Sequence, residues 1–261
     1  LSQIQQPLDA QIRSTGQGAD PGFACVCTDS RHLQPGDLFV ALSGPNFDGH
    51  DYLAQVQQKG AVAAVVSRFD DSLALPQLLV DDTLLALGRL AAWWRQQHRV
   101  RLVAVTGSNG KTTVKEMLAY ILRQRHRVLV TQGNLNNDIG VPLTLLGLTA
   151  EHQYAVVEMG ASKAGDIDYL TRLAQPDVAL ITNVAPAHLE GFGDIAGIAR
   201  AKGEIFNGLA ATGTAVLNAD EARVGIWRVM TAGRRTVSFG LRSAVEVTAT
   251  GFSAEVQPGC A

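Results

Sequence analysis

The stretch Leu102-Val-Ala-Val-Thr-Gly107-Ser-Asn-Gly110-Lys111-Thr112-Thr113 constrains this chain more than any other. An apolar run the length of one buried strand, Leu102–Thr106, enters a glycine turn. A Lys-Thr pair then opens the helix expected over Thr112–Gln124. Glycine at 107 and 110 lets the backbone approach a ligand without a Cβ. Successive N–H groups across Gly107, Ser108, Asn109, Gly110, Lys111, Thr112 and Thr113, together with the helix N-terminus, suit an oxyanion. The expected ligand is the triphosphate of ATP. Lys111 would neutralise the β and γ phosphates, and the Thr112 hydroxyl would ligate Mg²⁺. The general pattern G-x-x-x-x-G-K-[ST] has glycine where this chain has Val105. The loop is therefore a shorter variant, G-x-x-G-K-T. An ordinary turn ahead of Lys-Thr is the alternative, and the strand before with the helix after argues against it.

The remainder predicts an α/β fold: a small N-terminal α/β domain over residues 1–82, then a mostly parallel-sheet P-loop ATPase domain over 83–261. In the first, Asp37–Leu42, Ala61–Ser67 and Leu78–Val80 read as strands. Asp48 caps a helix His50–Lys59 that Gly60 stops. Thr83–Gln97 reads as an amphipathic connecting helix. Beyond it, the runs Arg127–Thr131, Tyr154–Met159, Val178–Thr182 and Thr214–Leu217 alternate with helices over Asp166–Ala174 and Ile195–Leu209. Continuous Val, Ile and Leu runs separated by helices indicate a parallel sheet covered on both faces. Such sheets bind ligands at the carboxyl ends of their strands. After Ser238 only short β-like pieces follow, and the second domain reads as cut short.

Composition narrows the function classes. With 46% apolar and 18% charged residues the 261-residue chain reads as a soluble globular protein, cytoplasmic in location, and its formal charge of −2 offers no basic field for nucleic acid. No apolar run approaches the length of a membrane span, and the start LSQIQQPLDAQ has no signal-peptide core. Cys25, Cys27 and Cys260 form neither a disulfide framework nor a zinc site and read as reduced thiols.

Glu158 closes the strand YAVVEM, where an acid would give Mg²⁺ a second contact; a capping or surface role is the alternative. His188, in TNVAPAHLEGFG, falls on the same edge with Asn183 and Glu190 as lesser candidates, and spacing alone leaves it between a structural and a metal role. Lys202 sits in a helix of mixed character and, by its residues alone, reads as a solvated lysine. The loop Gly133–Pro142 is rich in hydrogen-bonding groups, Asn136 and Asn137 among them, and reads equally as a substrate contact or a turn cluster. In the N-terminal domain, Ser30 and Arg31 precede a Pro-Gly turn, and Asn46 and Asp48 lie in the long loop. Arg31 could pair bidentately with phosphate, or simply face solvent.

Six stretches in order, TDSR…PGDLFVALSGPNFDGHDYL, TGSNGKTTVKEML, GNLNNDIGVPLTLL, VVEMGAS, ITNVAPAHLEGFG and AKGEIFNGLA, resemble the Mur ligase family. They span residues 28 to about 220. The short phosphate-loop variant is the form this family uses. The resemblance implies an ATP-dependent amide ligase of three domains, of which the C-terminal Rossmann-like domain is missing here. It implies ATP and Mg²⁺ as cofactors, with Lys111, Glu158, His188 and Lys202 in catalysis and Thr112, Glu158 and His188 serving metal. It also implies carbamylation of Lys202, and substrate contacts through Ser30, Arg31, Asn46, Asp48, Asn136 and Asn137. The stretch GNLNNDIGVP favours the type that joins D-alanyl-D-alanine to UDP-N-acetylmuramoyl-tripeptide, acting as a monomer. As a fragment, the chain is expected to bind nucleotide and UDP substrate with little turnover. The alternatives are another Mur ligase, a folylpolyglutamate-synthase-like ligase, and a non-catalytic nucleotide-binding protein. The N-terminal DSR and DGHDYL unit argues against the second, and the set Glu158, His188 and Lys202 against the third.

Overall fold

A computed structural model describes residues 1–13, 20–186, 189–242 and 244–250. His188 and Cys260 lie outside the described residues. The chain forms two compact units, Leu1–Arg101 with Leu118–Glu158, and Leu102–Met117 with Met159–Ala261.

The first unit opens with helix α1 (Ser2–Leu8) and strands β1 (Gln11–Arg13), β2 (Val26–Cys27) and β3 (Leu38–Val40). A short hairpin of β4 (Ser43–Gly44) and β5 (Phe47–Asp48) follows, then α2 (Leu53–Gln58), β6 (Ala63–Val66), β7 (Gln77–Leu79) and α3 (Thr83–Gln96). The sheet order is β1-β7-β6-β3-β2. Only β1 runs antiparallel; β2, β3, β6 and β7 pair in parallel. The central strands β3 and β6 are apolar throughout because both faces are covered. Leu38, Val40, Ala63 and Val65 face one core with α1 and α3, and alternate residues Phe39, Ala64 and Val66 face another with Leu53 and Val56 of α2. Asp82 starts α3 by accepting from the N–H groups of Leu84 and Leu85 at 2.8 and 2.9 Å. Ala86, Leu87 and Leu90 of α3 pack into the first core, so this helix belongs to the first unit rather than merely connecting.

The expected helix over His50–Lys59 is a 3₁₀ turn, Gly49–Tyr52, running into α2. Asp48 caps it through the His50 N–H at 2.9 Å. Gly60 ends it at φ +88°, beyond the comfortable range of a side-chain-bearing residue.

Then come β8 (Arg101–Thr106), α4 (Lys111–Arg123), β9 (Val128–Val130), α5 (Gly140–Leu146) and β10 (Tyr154–Glu158). They are followed by α6 (Asp166–Ala174), β11 (Val178–Ile181), α7 (Leu189–Phe192), α8 (Ile195–Gly203), β12 (Thr214–Asn218), α9 (Val224–Met230) and β13 (Arg235–Phe239). The strand order is β13-β12-β11-β8-β10-β9, and the pairs β9/β10, β8/β11, β11/β12 and β12/β13 are parallel, as expected. Among the elements the sequence reading did not mark, three bear on the site or its sheet. Helix α5 begins inside the stretch read as a polar loop, because the Asn137 carboxamide accepts from the Gly140 N–H at 2.8 Å and caps it. Helix α9 and strand β13 lie where no strong period was visible. The helix expected over Ile195–Leu209 ends at Gly203 and continues as one 3₁₀ turn, Glu204–Phe206. The Glu204 carboxylate caps α6 by accepting from the N–H groups of Gly165 at 2.9 Å and Asp168 at 3.2 Å.

Candidate functional site

The second unit is built around the turn after β8. Gly107 has φ +152°, and a Cβ there would overlap the Thr182 hydroxyl. Gly110, at φ +76°, turns the chain into α4. Both positions thus require glycine. The segment leaving β11 holds the loop. Ser108 N–H donates to the Asn183 carbonyl at 3.0 Å, and Asn109 N–H to the Asn183 carboxamide oxygen at 3.0 Å. Thr182 Oγ1 donates to the Asn109 carbonyl at 2.7 Å, and the Ser108 hydroxyl donates to the Ala185 carbonyl at 3.1 Å. Two of the N–H groups expected to face an anion are therefore spent on the loop's own support. The carbonyl of Gly110 receives the first backbone bond of α4, from the Val114 N–H at 3.0 Å. What remains directed beyond the loop is the mouth of that helix, whose dipole favours an anion.

Lys111 is half-buried, its ammonium 3.4 Å from the Ser108 carbonyl. Thr112 and Thr113 are exposed on the first turn. Lys202, in the last turn of α8, is only 6% exposed, which corrects the reading of a solvated lysine. Apolar neighbours Ile198, Ala199 and Ala201 on the same helix are buried with it. Burial, and then the positive charge of Lys111, push the Lys202 ammonium from an ordinary 10.5 down to about 8. Among the described residues it has no carboxylate partner and no hydrogen bond. A buried cation without a counter-charge, beside a second cation, is costly unless an anion completes the site.

The residue following Glu158 is tied to the same loop. Met159 N–H donates to the Val105 carbonyl at 2.9 Å, and Thr106 Oγ1 donates to the Met159 carbonyl at 2.8 Å. Glu158 itself belongs to the first unit and is 2% exposed. Its N–H donates to Thr131 Oγ1 at 3.0 Å, and its carboxylate accepts from Asn136 Nδ2 at 2.9 Å. Asn136 thus positions an acid, whereas its neighbour Asn137 caps a helix. Among the described residues no three His, Cys, Asp or Glu side chains are placed to hold a metal by themselves. The Thr112 hydroxyl on the first turn of α4 is an oxygen donor of the kind Mg²⁺ takes alongside substrate phosphates.

The N-terminal candidates separate into two kinds. Asp48 is committed to structure. It accepts from the Ser43 hydroxyl at 2.9 Å, Arg68 at 2.6 Å and the buried His50 Nδ1 at 2.6 Å. His50 Nε2 in turn accepts from the Ser67 N–H at 2.9 Å, which fixes the proton on Nδ1. Ser30 is buried, and its carbonyl accepts from the Lys59 ammonium at 2.7 Å. Arg31 is 81% exposed in its side chain and paired with Asp29 at 2.7 Å, and Asn46 is exposed at the hairpin tip. The Arg31 guanidinium, followed by the Arg31 N–H, holds the Asp29 carboxyl well below the usual carboxylate range.

Residues the sequence reading missed are the supports. Thr182 fits against Gly107 and Thr131 anchors Glu158, but a threonine at a strand end carries no signal of its own. Glu221, whose carboxylate accepts from the Val184 N–H at 3.0 Å, lies 37 residues away. Lys115 is fully buried on α4 beside Glu116 at 3.0 Å, while Met117, Tyr120 and Ile121 of that helix are exposed. Hydrophobic pattern alone predicts the reverse.

Comparison with known proteins agrees with this architecture. Residues 105–258 match the family model described as the Mur ligase middle domain, and residues 23–95 match the Mur ligase family, catalytic domain. UDP-N-acetylmuramoyl-tripeptide–D-alanyl-D-alanine ligase of Escherichia coli strain K12 is 52% identical over 94% of this chain and 53% of its own length. Among solved structures, MurF from Acinetobacter baumannii superposes with a TM-score of 0.88 at 43% identity, covering 92% of this chain and 52% of that one. MurF ligase from Thermotoga maritima in complex with ADP gives 0.78 at 34% identity, covering 87% and 52%. The chain spans about half the length of the curated relatives it matches. With the family model matching more than half of its residues, this chain belongs to the Mur ligase family.

Proposed function

We propose that this chain is the substrate- and ATP-binding portion of a ligase that joins D-alanyl-D-alanine to UDP-N-acetylmuramoyl-tripeptide in peptidoglycan precursor synthesis. The observation that carries the reading is the glycine turn after β8, where Gly107 and Gly110 open the backbone at the mouth of α4 next to Lys111. Lys111 at the helix mouth fits the triphosphate of ATP, and Lys202, lowered by burial, supplies the amine for carbamylation. The 52% identity to a relative bearing that enzyme name supports the substrate pair. The UDP-substrate domain is assigned to residues 1–82 with helix α3 packed on it, and the ATP domain to the residues that follow. The chain's assignment as a cytoplasmic monomer is part of the same proposal. No helix among the described residues is long and apolar enough to cross a membrane.

In the mechanism, the tripeptide's terminal carboxylate attacks the γ-phosphorus of ATP, giving an acyl phosphate and ADP. The amine of D-alanyl-D-alanine then attacks the acyl carbon, and phosphate leaves. No protein nucleophile is needed, so catalysis is positioning and charge neutralisation. Lys111 and the helix mouth of α4 hold the phosphates, with the glycines admitting them closely. Thr112, Glu158 and His188 are the residues that would hold Mg²⁺, which would supply positive charge that lowers repulsion toward the incoming carboxylate. Lys202, in its neutral form, attacks CO₂ to form a carbamate with release of a proton. That converts the buried cation into an anion for metal. Ser30, Arg31 and Asn46 are the candidates for the UDP substrate, with Asp48 shaping their loop. Asn136 and Asn137 orient the peptide side through Glu158 and α5.

Isothermal titration of the chain with UDP-N-acetylmuramoyl-tripeptide, and with a non-hydrolysable ATP analogue plus Mg²⁺, tests this. Both are expected to bind, and Arg31→Ala should abolish only the first. An ATP-analogue response with none to any UDP-sugar would instead indicate a folate-type ligase or a regulator.

A further inference from the structure

A second concentration of positive charge lies in the first unit, at the amino ends of β9 and β10. A cavity of about 760 Å³ is lined there by the turn after α4 and by the loop entering β10. That volume falls within the range of small-molecule sites, roughly 300–1,000 Å³. Arg123, Arg125 and Arg127 all line it and all are exposed. Among the described residues, none of the three side chains has a carboxylate partner or a hydrogen bond. Glu151 is the only acid in the lining, and it forms no ion pair among the described residues.

Ordinary helix chemistry accounts for one of these arginines. Arg123 sits in the last turn of α4, where a cation complements the dipole. Arg127 lies four residues beyond the helix end, outside the last turn where that complement acts. Arg125 lies in the turn that closes α4, its N–H donating to the Leu122 carbonyl at 3.1 Å, and Arg127 directly precedes β9; the cavity brings both into one lining. The histidines of the cavity are fixed as well. His126 Nδ1 lies 3.0 Å from Gln153 Oε1 while its ring packs on Tyr154 at 4.8 Å. His152 Nδ1 accepts from the Thr149 N–H at 3.0 Å, which leaves Nε2 as the donor. In a chain of net charge −2, three uncompensated guanidinium groups around a concave site, with a fixed imidazole donor, form the complement of a polyanion.

We infer that this cavity is a second anion site, taking a ligand with two or more phosphate groups and separate from the phosphate loop at the carboxyl end of β8. Guanidinium forks pair bidentately with phosphate, and the cavity is wide enough for more than one such group.

Tripolyphosphate is the first probe, titrated calorimetrically into the 261-residue chain carrying Lys111→Ala, which silences the phosphate loop. Saturable binding is expected. Adding Arg123→Ala, Arg125→Ala and Arg127→Ala should weaken it at least ~tenfold, since each guanidinium supplies a charge-assisted contact. Amide shifts at Thr149 and Gln153 should follow the same titration. The second probe is a phosphatidylglycerol vesicle, with phosphatidylcholine as control. Co-sedimentation lost in the triple variant, without tripolyphosphate saturation, would assign the phosphates to a lipid headgroup. If the triple variant melts differently from its parent, Arg125→Glu on the exposed face supplies the same comparison. Binding of neither probe, or equal binding by parent and variant, overturns the inference.

Discussion

Replacing Lys202 by methionine, a neutral side chain of similar length, should stabilise the chain in the absence of nucleotide. Burial and Lys111 together lower the lysine from 10.5 to about 8. A shift of that size corresponds to about 3 kcal/mol at roughly 1.4 kcal/mol per pH unit. Below pH 8 the lysine is charged in both states, and the folded state carries the whole penalty. Between pH 8 and 10.5 the unfolded chain binds more protons, so stability rises with pH. Above 10.5 it is neutral in both states and the penalty is gone. Lys202→Met should therefore exceed the wild type by up to about 3 kcal/mol at pH 7, a few degrees or more in Tm. The gap should close as pH climbs from 8 to 10.5. Urea unfolding of both proteins in bicarbonate-free buffer across that range measures it, and the difference cancels every other titrating group. An ATP analogue with Mg²⁺ should narrow the gap at pH 7, because the bound triphosphate supplies the missing counter-charge only to the wild type. A variant destabilised at pH 7, or a gap unchanged by pH, would refute the view of Lys202 as an uncompensated buried cation.

The same lowered value raises the neutral-amine fraction near pH 7 by about 300-fold. ¹³C-labelled bicarbonate should therefore give a carbamate resonance in the wild type that is absent in Lys202→Met; its absence from the wild type would leave the modification without support. Gly107→Ala combines a φ of +152° with overlap on the Thr182 hydroxyl, and should cost about 2 kcal/mol or more while abolishing nucleotide binding in calorimetry. Asp48→Ala removes a helix cap and the acceptor of a buried imidazole, so unfolding should show a loss of about 1–2 kcal/mol. A residue that only touched substrate would leave stability unchanged.

What could be read without coordinates was whatever local chemistry enforces. The phosphate loop, its flanking strand and helix, and the parallel sheet follow from glycine spacing and from uninterrupted apolar runs, since both are properties of neighbours in the chain. The cap at Asp48 and the stop at Gly60 belong to the same class. Helix α5 escaped because the three asparagines and the aspartate ahead of it read as a turn cluster until Asn137 is seen to cap it. Strand β13 escaped because it is an edge strand whose burial comes from one neighbour. The character of Lys202 was beyond local reading. A lysine in a mixed helix is charged and solvated by every short-range rule, and only the packing of α8 withdraws it from water beside Lys111. The supports of the site, Thr182 on Gly107, Thr131 on Glu158 and Glu221 on Val184, are likewise created by tertiary structure. Sequence determined the glycine turn and the Lys-Thr pair that opens its helix, because backbone freedom and residue type act over a few positions. Tertiary structure decided the charge state of Lys202, because desolvation depends on what the rest of the chain packs around it.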